Sequence, residues 1–170
     1  LHEPGQQGIE QLHRIVARTR ASSMHGRVSV SHAYGLGDVA SDVVDQVAVA
    51  LAEAGVSIMT NAPGDRAFPP ILQLRAAGVR VFTGNDNIQD AWWPYGNGDM
   101  LQRAMLVGYR SGFYSDEDLQ VALHMATEAG AAVLEKSDYG LTVGNEATFV
   151  IVKAPNAAAP HERAVVRKGQ

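Results

Sequence analysis

Three short apolar runs, each following a helical stretch, set the strongest constraint on this fold. They are "RVSVSHA" at 27–33, "VSIMTNAP" at 56–63 and "VRVFTGND" at 79–86. Gly26, Gly55 and Gly78 stand just before them. A glycine after the last periodic apolar residue is a helix stop signal. Runs that are apolar on both faces and separated by one helix predict parallel strands joined by crossover helices, an α/β arrangement.

The helices follow from apolar spacing. Ile9, Leu12, Ile15, Val16 and Met24 predict a helix over 8–25. Ala40, Val43, Val44, Val47 and Leu51 predict one over 39–54. Pro69 and Pro70 precede a short helix over 71–78, where a first turn tolerates proline. Further helices are predicted over 101–109 and, from the cap-like Ser115, to Lys136. "ATFVIVKAP" at 147–155 and "AVVRK" at 164–168 predict antiparallel strands outside the βα array.

Composition narrows the function classes. A length of 170 residues suffices for one domain with a sizeable core. The formal charge is −4 with no basic stripe, which argues against nucleic-acid or anionic-membrane partners. There is no cysteine, so disulfides, thiolate metal sites and cysteine nucleophiles are excluded. A metal here takes histidine and carboxylate ligands. No apolar run is long enough to span a bilayer, and no secretory leader is visible, so a soluble, cytoplasmic protein is expected. The opening "LHEPG" lacks a methionine and the end follows a predicted strand, so part of a longer protein is expected.

In parallel α/β folds, ligands gather at the C-terminal ends of strands. Those ends carry Ser31 and His32, then Thr60 and Asn61, then Asn85, Asp86 and Asn87. His32 and Asp86 are therefore candidates for one shared site. The loop after the third run, "DAWWPYGNG" at 90–98, puts Trp92 and Trp93 among loop residues, which excludes a helical core stripe. A planar heterocycle suits such a ring.

Gly35-Leu36-Gly37, with Ala40 three residues on, also fits a dinucleotide-binding turn after a strand and before a helix. That mechanism wants an acid about 20 residues later, where this chain reads Met59-Thr60-Asn61. A Rossmann-like domain is thus one alternative. A non-catalytic small-molecule binding module, using the Trp loop, is another.

Four segments together, "LHEPG" at 1–5, "VSHAYGLGD" at 30–38, "GNDNIQDAWWPYGNGDM" at 84–100 and "YGLTVGNEATFVIV" at 139–152, resemble the C-terminal half of the amidohydrolase superfamily. The resemblance is to the cytosine deaminase branch, which includes deaminases and hydrolases of pterins and triazines. It implies the C-terminal part of a (β/α)8 TIM-like barrel over 1–138, contributing strands six to eight, and strands of an accessory β-sandwich over 139–170. It also implies hydrolytic deamination of a cytosine-like N-heterocycle with one divalent metal ion, zinc or iron.

Carried over singly, the resemblance gives Glu3 as proton shuttle, His32 beside the metal-bound water, Asp86 as metal ligand and catalytic carboxylate, and Trp92 on the substrate loop. Asn87 stands where cytosine deaminases tend to have a second Asp, and is a substrate-binding candidate. His2 stands where some relatives have an acid and is given no metal role. By pattern alone Glu3 reads as a helix-start acid. The remaining metal ligands, an H-x-H pair and a further His, are not in this sequence. The isolated chain is therefore expected to be inactive, and its open sheet edge to pair with the missing half-barrel or with a second copy.

Overall fold

The computed structural model of the protein describes residues 1–153. The chain divides between Phe82 and Thr83 into two units.

In the first unit, helix α1 (Gly5–Ala21) leads to strand β1 (Val28–Ser31), a 3-10 turn (Tyr34–Gly37), helix α2 (Ser41–Ala54), strand β2 (Val56–Thr60) and helix α3 (Ile71–Ala76). Strand β3 (Val81–Thr83), of which Val81 and Phe82 belong to this unit, completes a parallel sheet in the order β1-β2-β3. β1 and β2 pair with Val28 opposite Val56 and Ser31 opposite Met59. The βα alternation predicted from the apolar runs is present.

Burial of an apolar stripe holds α1 and α2 in place. Ile9, Leu12 and Val16 of α1 are buried, as are Val44, Val47, Ala48 and Leu51 of α2. Each fully buried leucine, isoleucine or valine stabilises the fold by about 1.5–3 kcal/mol relative to exposure. Ala40 lies outside α2 and is exposed, and Ala48 and Ala54 complete the buried stripe. α1 stops at Ala21 rather than His25, because Ser23 turns left-handed (φ 53°) and Met24 folds back to the Thr19 carbonyl. Gly55 (φ 64°) ends α2 by donating to the Leu51 and Ala52 carbonyls, and a Cβ there would meet the Gly26 nitrogen at 2.6 Å. Only glycine serves both needs.

The strands are shorter than the apolar runs. Each exits through a non-glycine residue in the left-handed region: His32 (φ 72°) after β1, Ala62 (φ 51°) after β2 and Asp86 (φ 63°) after β3. β1 alternates, with Ser29 and Ser31 exposed, while β2 is covered almost throughout. A central strand is buried on both faces and a flanking one need not be.

The second unit holds helices α4 (Met100–Ser111), α5 (Asp116–Met125) and α6 (Glu128–Val133). Ala104 and Val107 of α4 and Ala122 and Met125 of α5 are fully buried where those helices pack. The single helix expected from Ser115 to Lys136 is broken. The Thr127 hydroxyl donates to the Leu123 carbonyl at 2.8 Å, and the Thr127 backbone (φ −130°, ψ −97°) leaves the helix. A threonine bonding back to the preceding turn commonly bends a helix. Residues 147–153, expected as a strand, carry no regular structure, since a strand needs a ladder partner to define it. The expected strand over 164–168 and the rest of 154–170 lie outside the described residues.

Candidate active site

The first unit carries Glu3 and His32. His32 is the centre of a three-residue turn: its own N–H still pairs with the Met59 carbonyl (2.8 Å), and the next N–H, of Ala33, returns to the Ser31 carbonyl (3.0 Å). With φ at 72°, this is the γ-turn of positive φ, a rare and strained form. Ala33 is left-handed as well (φ 48°). Each such residue costs about 1–3 kcal/mol and persists only where its surroundings hold it.

What holds it is the segment bearing Glu3. The Leu1 nitrogen donates to the Ser31 carbonyl at 2.7 Å, and the Gly5 N–H reaches an Asp38 carboxylate oxygen at 3.4 Å. Between those ties the Glu3 carbonyl lies against Gly35, where an added Cβ would sit 3.2 Å from it. The Glu3 side chain is exposed. Residues 1–5 and 31–38 are thus fastened to each other at both ends.

Around His32 is a cluster that the sequence did not single out. Its Nδ1 lies 3.1 Å from the Tyr34 hydroxyl, and its ring centroid is 4.8 Å from that of His2. The His2 and Tyr34 rings stack at 5.5 Å with 20° between planes. The Arg66 guanidinium sits 5.2 Å from the Tyr34 ring centroid, a cation–π distance. Arg66 in turn makes two hydrogen bonds to Asp65, whose carboxylate raises the guanidinium pKa. The His-x-Tyr spacing was the signal available for Tyr34.

The glycines of the dinucleotide-like turn are occupied otherwise. A Cβ on Gly35 would meet the Gly5 carbonyl at 2.8 Å, and one on Gly37 the Phe68 carbonyl at 2.6 Å. Both glycines admit protein backbone, so the turn is accounted for by packing within the unit.

The second unit carries Asp86, Asn87 and Trp92. Asp86 is exposed and left-handed. Arg103, from α4, donates to the Asn85 carbonyl at 3.4 Å; burial pulls its pKa down, and the Asp86 carboxylate acts in the opposite direction. The loop is organised by Asp90. Its Oδ1 accepts the N–H groups of Trp92 (2.9 Å) and Trp93 (3.0 Å), and its Oδ2 accepts the Asn87 amide (2.7 Å). These bonds hold the Asp90 carboxyl below the usual carboxylate range, the Asn87 amide first among them. Trp92 is 84% exposed, while Trp93 is partly covered and meets Tyr95 edge to face at 5.5 Å. Asn87, a substrate-binding candidate, commits its amide N–H to Asp90.

Among the described residues, no three histidine, aspartate or glutamate side chains converge to hold a metal ion. The described residues do not form a metal centre by themselves.

The whole chain, residues 1–170, matches the amidohydrolase family model. It is 31% identical over 155 residues to N-isopropylammelide isopropyl amidohydrolase of Pseudomonas sp. (strain ADP), covering 91% of this chain and 38% of that protein. The crystal structure of N-isopropylammelide isopropylaminohydrolase from Burkholderia multivorans superposes with a TM-score of 0.92 at 42% identity, over 95% of this chain and 42% of that one. The crystal structure of 5-methylcytosine deaminase from Klebsiella pneumoniae liganded with 5-fluorocytosine superposes with a TM-score of 0.75 at 24% identity, over 86% and 39%. That last likeness is one of fold. The chain spans about two fifths of the length of these relatives. On the family match across its full length, the chain belongs to the amidohydrolase family.

Proposed function

We propose that this chain is the C-terminal portion of a metal-dependent amidohydrolase that hydrolyses an exocyclic C–N bond on a six-membered N-heterocycle. The observation that carries the reading is the fastening of the Glu3 segment to the strained His32 turn, inside a chain of this family. A strained backbone is retained where it positions something.

Each residue type suits a distinct task. Glu3, exposed two residues before α1, is able to alternate between acid and base, protonating a ring nitrogen and then the departing amine. His32 offers a ring N–H to the oxygen that attacks the ring carbon. Asp86 is the carboxylate available as a metal ligand and proton acceptor. Trp92 presents an exposed indole for stacking on a flat ring. The family's divalent ion, zinc or iron, is part of this proposal, and it supplies an activated water when bound. Its other ligands come from the length of protein that the relatives have and this chain does not.

The 42% identity supports an N-alkylated aminotriazine such as N-isopropylammelide ahead of cytosine, and so does Asn87 in place of a second Asp. The test is amine release by the polypeptide at its relatives' length, loaded with zinc or iron. The panel is N-isopropylammelide, cytosine, isocytosine and pterin. Turnover of at least one, abolished in Asp86→Asn, is expected. No turnover of any by correctly folded, metal-loaded protein overturns the reading.

A further inference from the structure

We infer that Tyr34 is a positioning residue for His32: its phenol donates a hydrogen bond to Nδ1 and holds the imidazole in the tautomer that carries its proton on Nε2. The inference rests on the role proposed for His32, and its first test is independent of that role.

The geometry brings the two groups together with little freedom. His32 is 7% exposed and Tyr34 8%, and the hydroxyl lies 3.1 Å from Nδ1. The γ-turn centred on His32 and the 3-10 turn that begins at Tyr34 fix both backbones, two residues apart. Neither ring is placed by a flexible loop.

Distance alone leaves the direction of the bond open, and acidity decides it. Between a phenol and a neutral imidazole, the phenol is the stronger acid, with a pKa near 10, and the imidazole nitrogen is the stronger base. The O–H therefore donates and Nδ1 accepts. Arg66 strengthens this choice. Its guanidinium lies 5.2 Å from the Tyr34 ring centroid, and a nearby cation makes a phenol a better donor and a poorer acceptor. Arg66 is held there by its paired bonds to Asp65.

The consequence reaches the opposite side of the imidazole. With Nδ1 occupied as an acceptor, the neutral ring carries its hydrogen on Nε2 and presents a donor there. A histidine that hydrogen-bonds an attacking oxygen or a developing negative charge needs that donor. The reverse tautomer presents a lone pair at the same place.

The tautomer is read directly from the nitrogen resonances of His32 in protein labelled with 15N-histidine, in the polypeptide at its relatives' length and at a pH where the ring is neutral. The expected wild-type spectrum has a proton-bearing Nε2 and an Nδ1 displaced from the free lone-pair position by the bond it accepts. In Tyr34→Phe, which keeps the ring and removes the oxygen, Nδ1 returns toward the free position. A wild-type spectrum with the proton on Nδ1 overturns the inference without any variant being made. So does an Nδ1 resonance that Tyr34→Phe leaves unmoved.

Kinetics gives the second arm. Tyr34→Phe is expected to lower kcat about 10-fold or more while KM stays within about twofold, because the lost order matters in the transition state. The expected spectrum in a protein with no hydrolytic turnover upholds the Tyr34–His32 bond and removes the proposed activity. Turnover with the proton on Nδ1 does the reverse.

Discussion

Gly8 and Gly35 meet backbone to backbone: a Cβ built on either one would lie 3.1 Å from the Cα of the other. The contact joins the first turn of α1 to the 3-10 turn after β1, and the Glu3 carbonyl is packed into it. It predicts that Gly35→Ala crowds unyielding backbone and destabilises the fold by about 1–3 kcal/mol. A control is Gly64→Ala, where an added Cβ meets nothing within 4 Å and the change is expected to stay within about 0.5 kcal/mol. Denaturant midpoints for the two variants check this. Equal midpoints would mean that the Glu3 segment is not held by this contact. If Gly35 served a nucleotide phosphate instead, its replacement would cost cofactor binding and leave the midpoint alone.

The Trp loop predicts a pH dependence of its own. The Asp90 carboxylate accepts the Asn87 amide and the Trp92 and Trp93 N–H groups, so its folded pKa lies below the ordinary 3.8. A depressed carboxylate contributes order that is fully present above the unfolded value and lost as pH falls through the folded one. Tryptophan emission is expected to hold steady above about pH 4 and to change only in more acid solution. Asp90→Asn removes the charge and should remove that transition. An emission change centred near pH 6 would assign the loop's order to some other group.

These two contacts also mark where the sequence stopped being legible. The βα alternation was visible because burial on both faces leaves a run of apolar residues, as in Val56–Thr60, and because glycines close the helices. His32, Asp86 and Trp92 were visible because strand ends and an aromatic loop are where such residues stand out. The γ-turn at His32 was not visible: its left-handed φ is imposed by Met59, Ser31 and the Glu3 segment, none of which marks residue 32 locally. Nothing in the local sequence singled out Tyr34, since its partner is a ring nitrogen two positions back. The break at Thr127 was hidden because a side-chain bond to Leu123 overrides a helical pattern that runs through it.

Glu3 and His2 are neighbours with opposite expected consequences. Both side chains are exposed, so neither substitution disturbs the core. Glu3→Gln keeps size and polarity while removing the capacity to shuttle a proton. In the polypeptide at its relatives' length, it is expected to lower kcat by about 10²–10⁴-fold with little change in KM. His2→Ala removes the ring stacked on Tyr34 but no assigned proton step, and kcat is expected to fall by less than about tenfold. Steady-state kinetics on one substrate compares them. A larger loss in His2→Ala would move the acid–base role from Glu3 to its neighbour.

The 170-residue chain by itself is predicted to show no hydrolytic turnover. The described residues hold no group of three metal-capable side chains, and Asp86 alone supplies too few bonds to retain zinc against solvent. Among the described residues the sheet has three strands, so its outer strands lack the neighbours that a closed barrel provides. Amine release should therefore stay at background with zinc or iron added to the purified chain. It should appear when the polypeptide that supplies the rest of its relatives' length is co-expressed with it. Metal content measured on the same samples separates the causes, with about one ion per assembled pair expected and none on the chain alone. Metal-dependent turnover by the chain in isolation would show that it builds a complete site from its own residues.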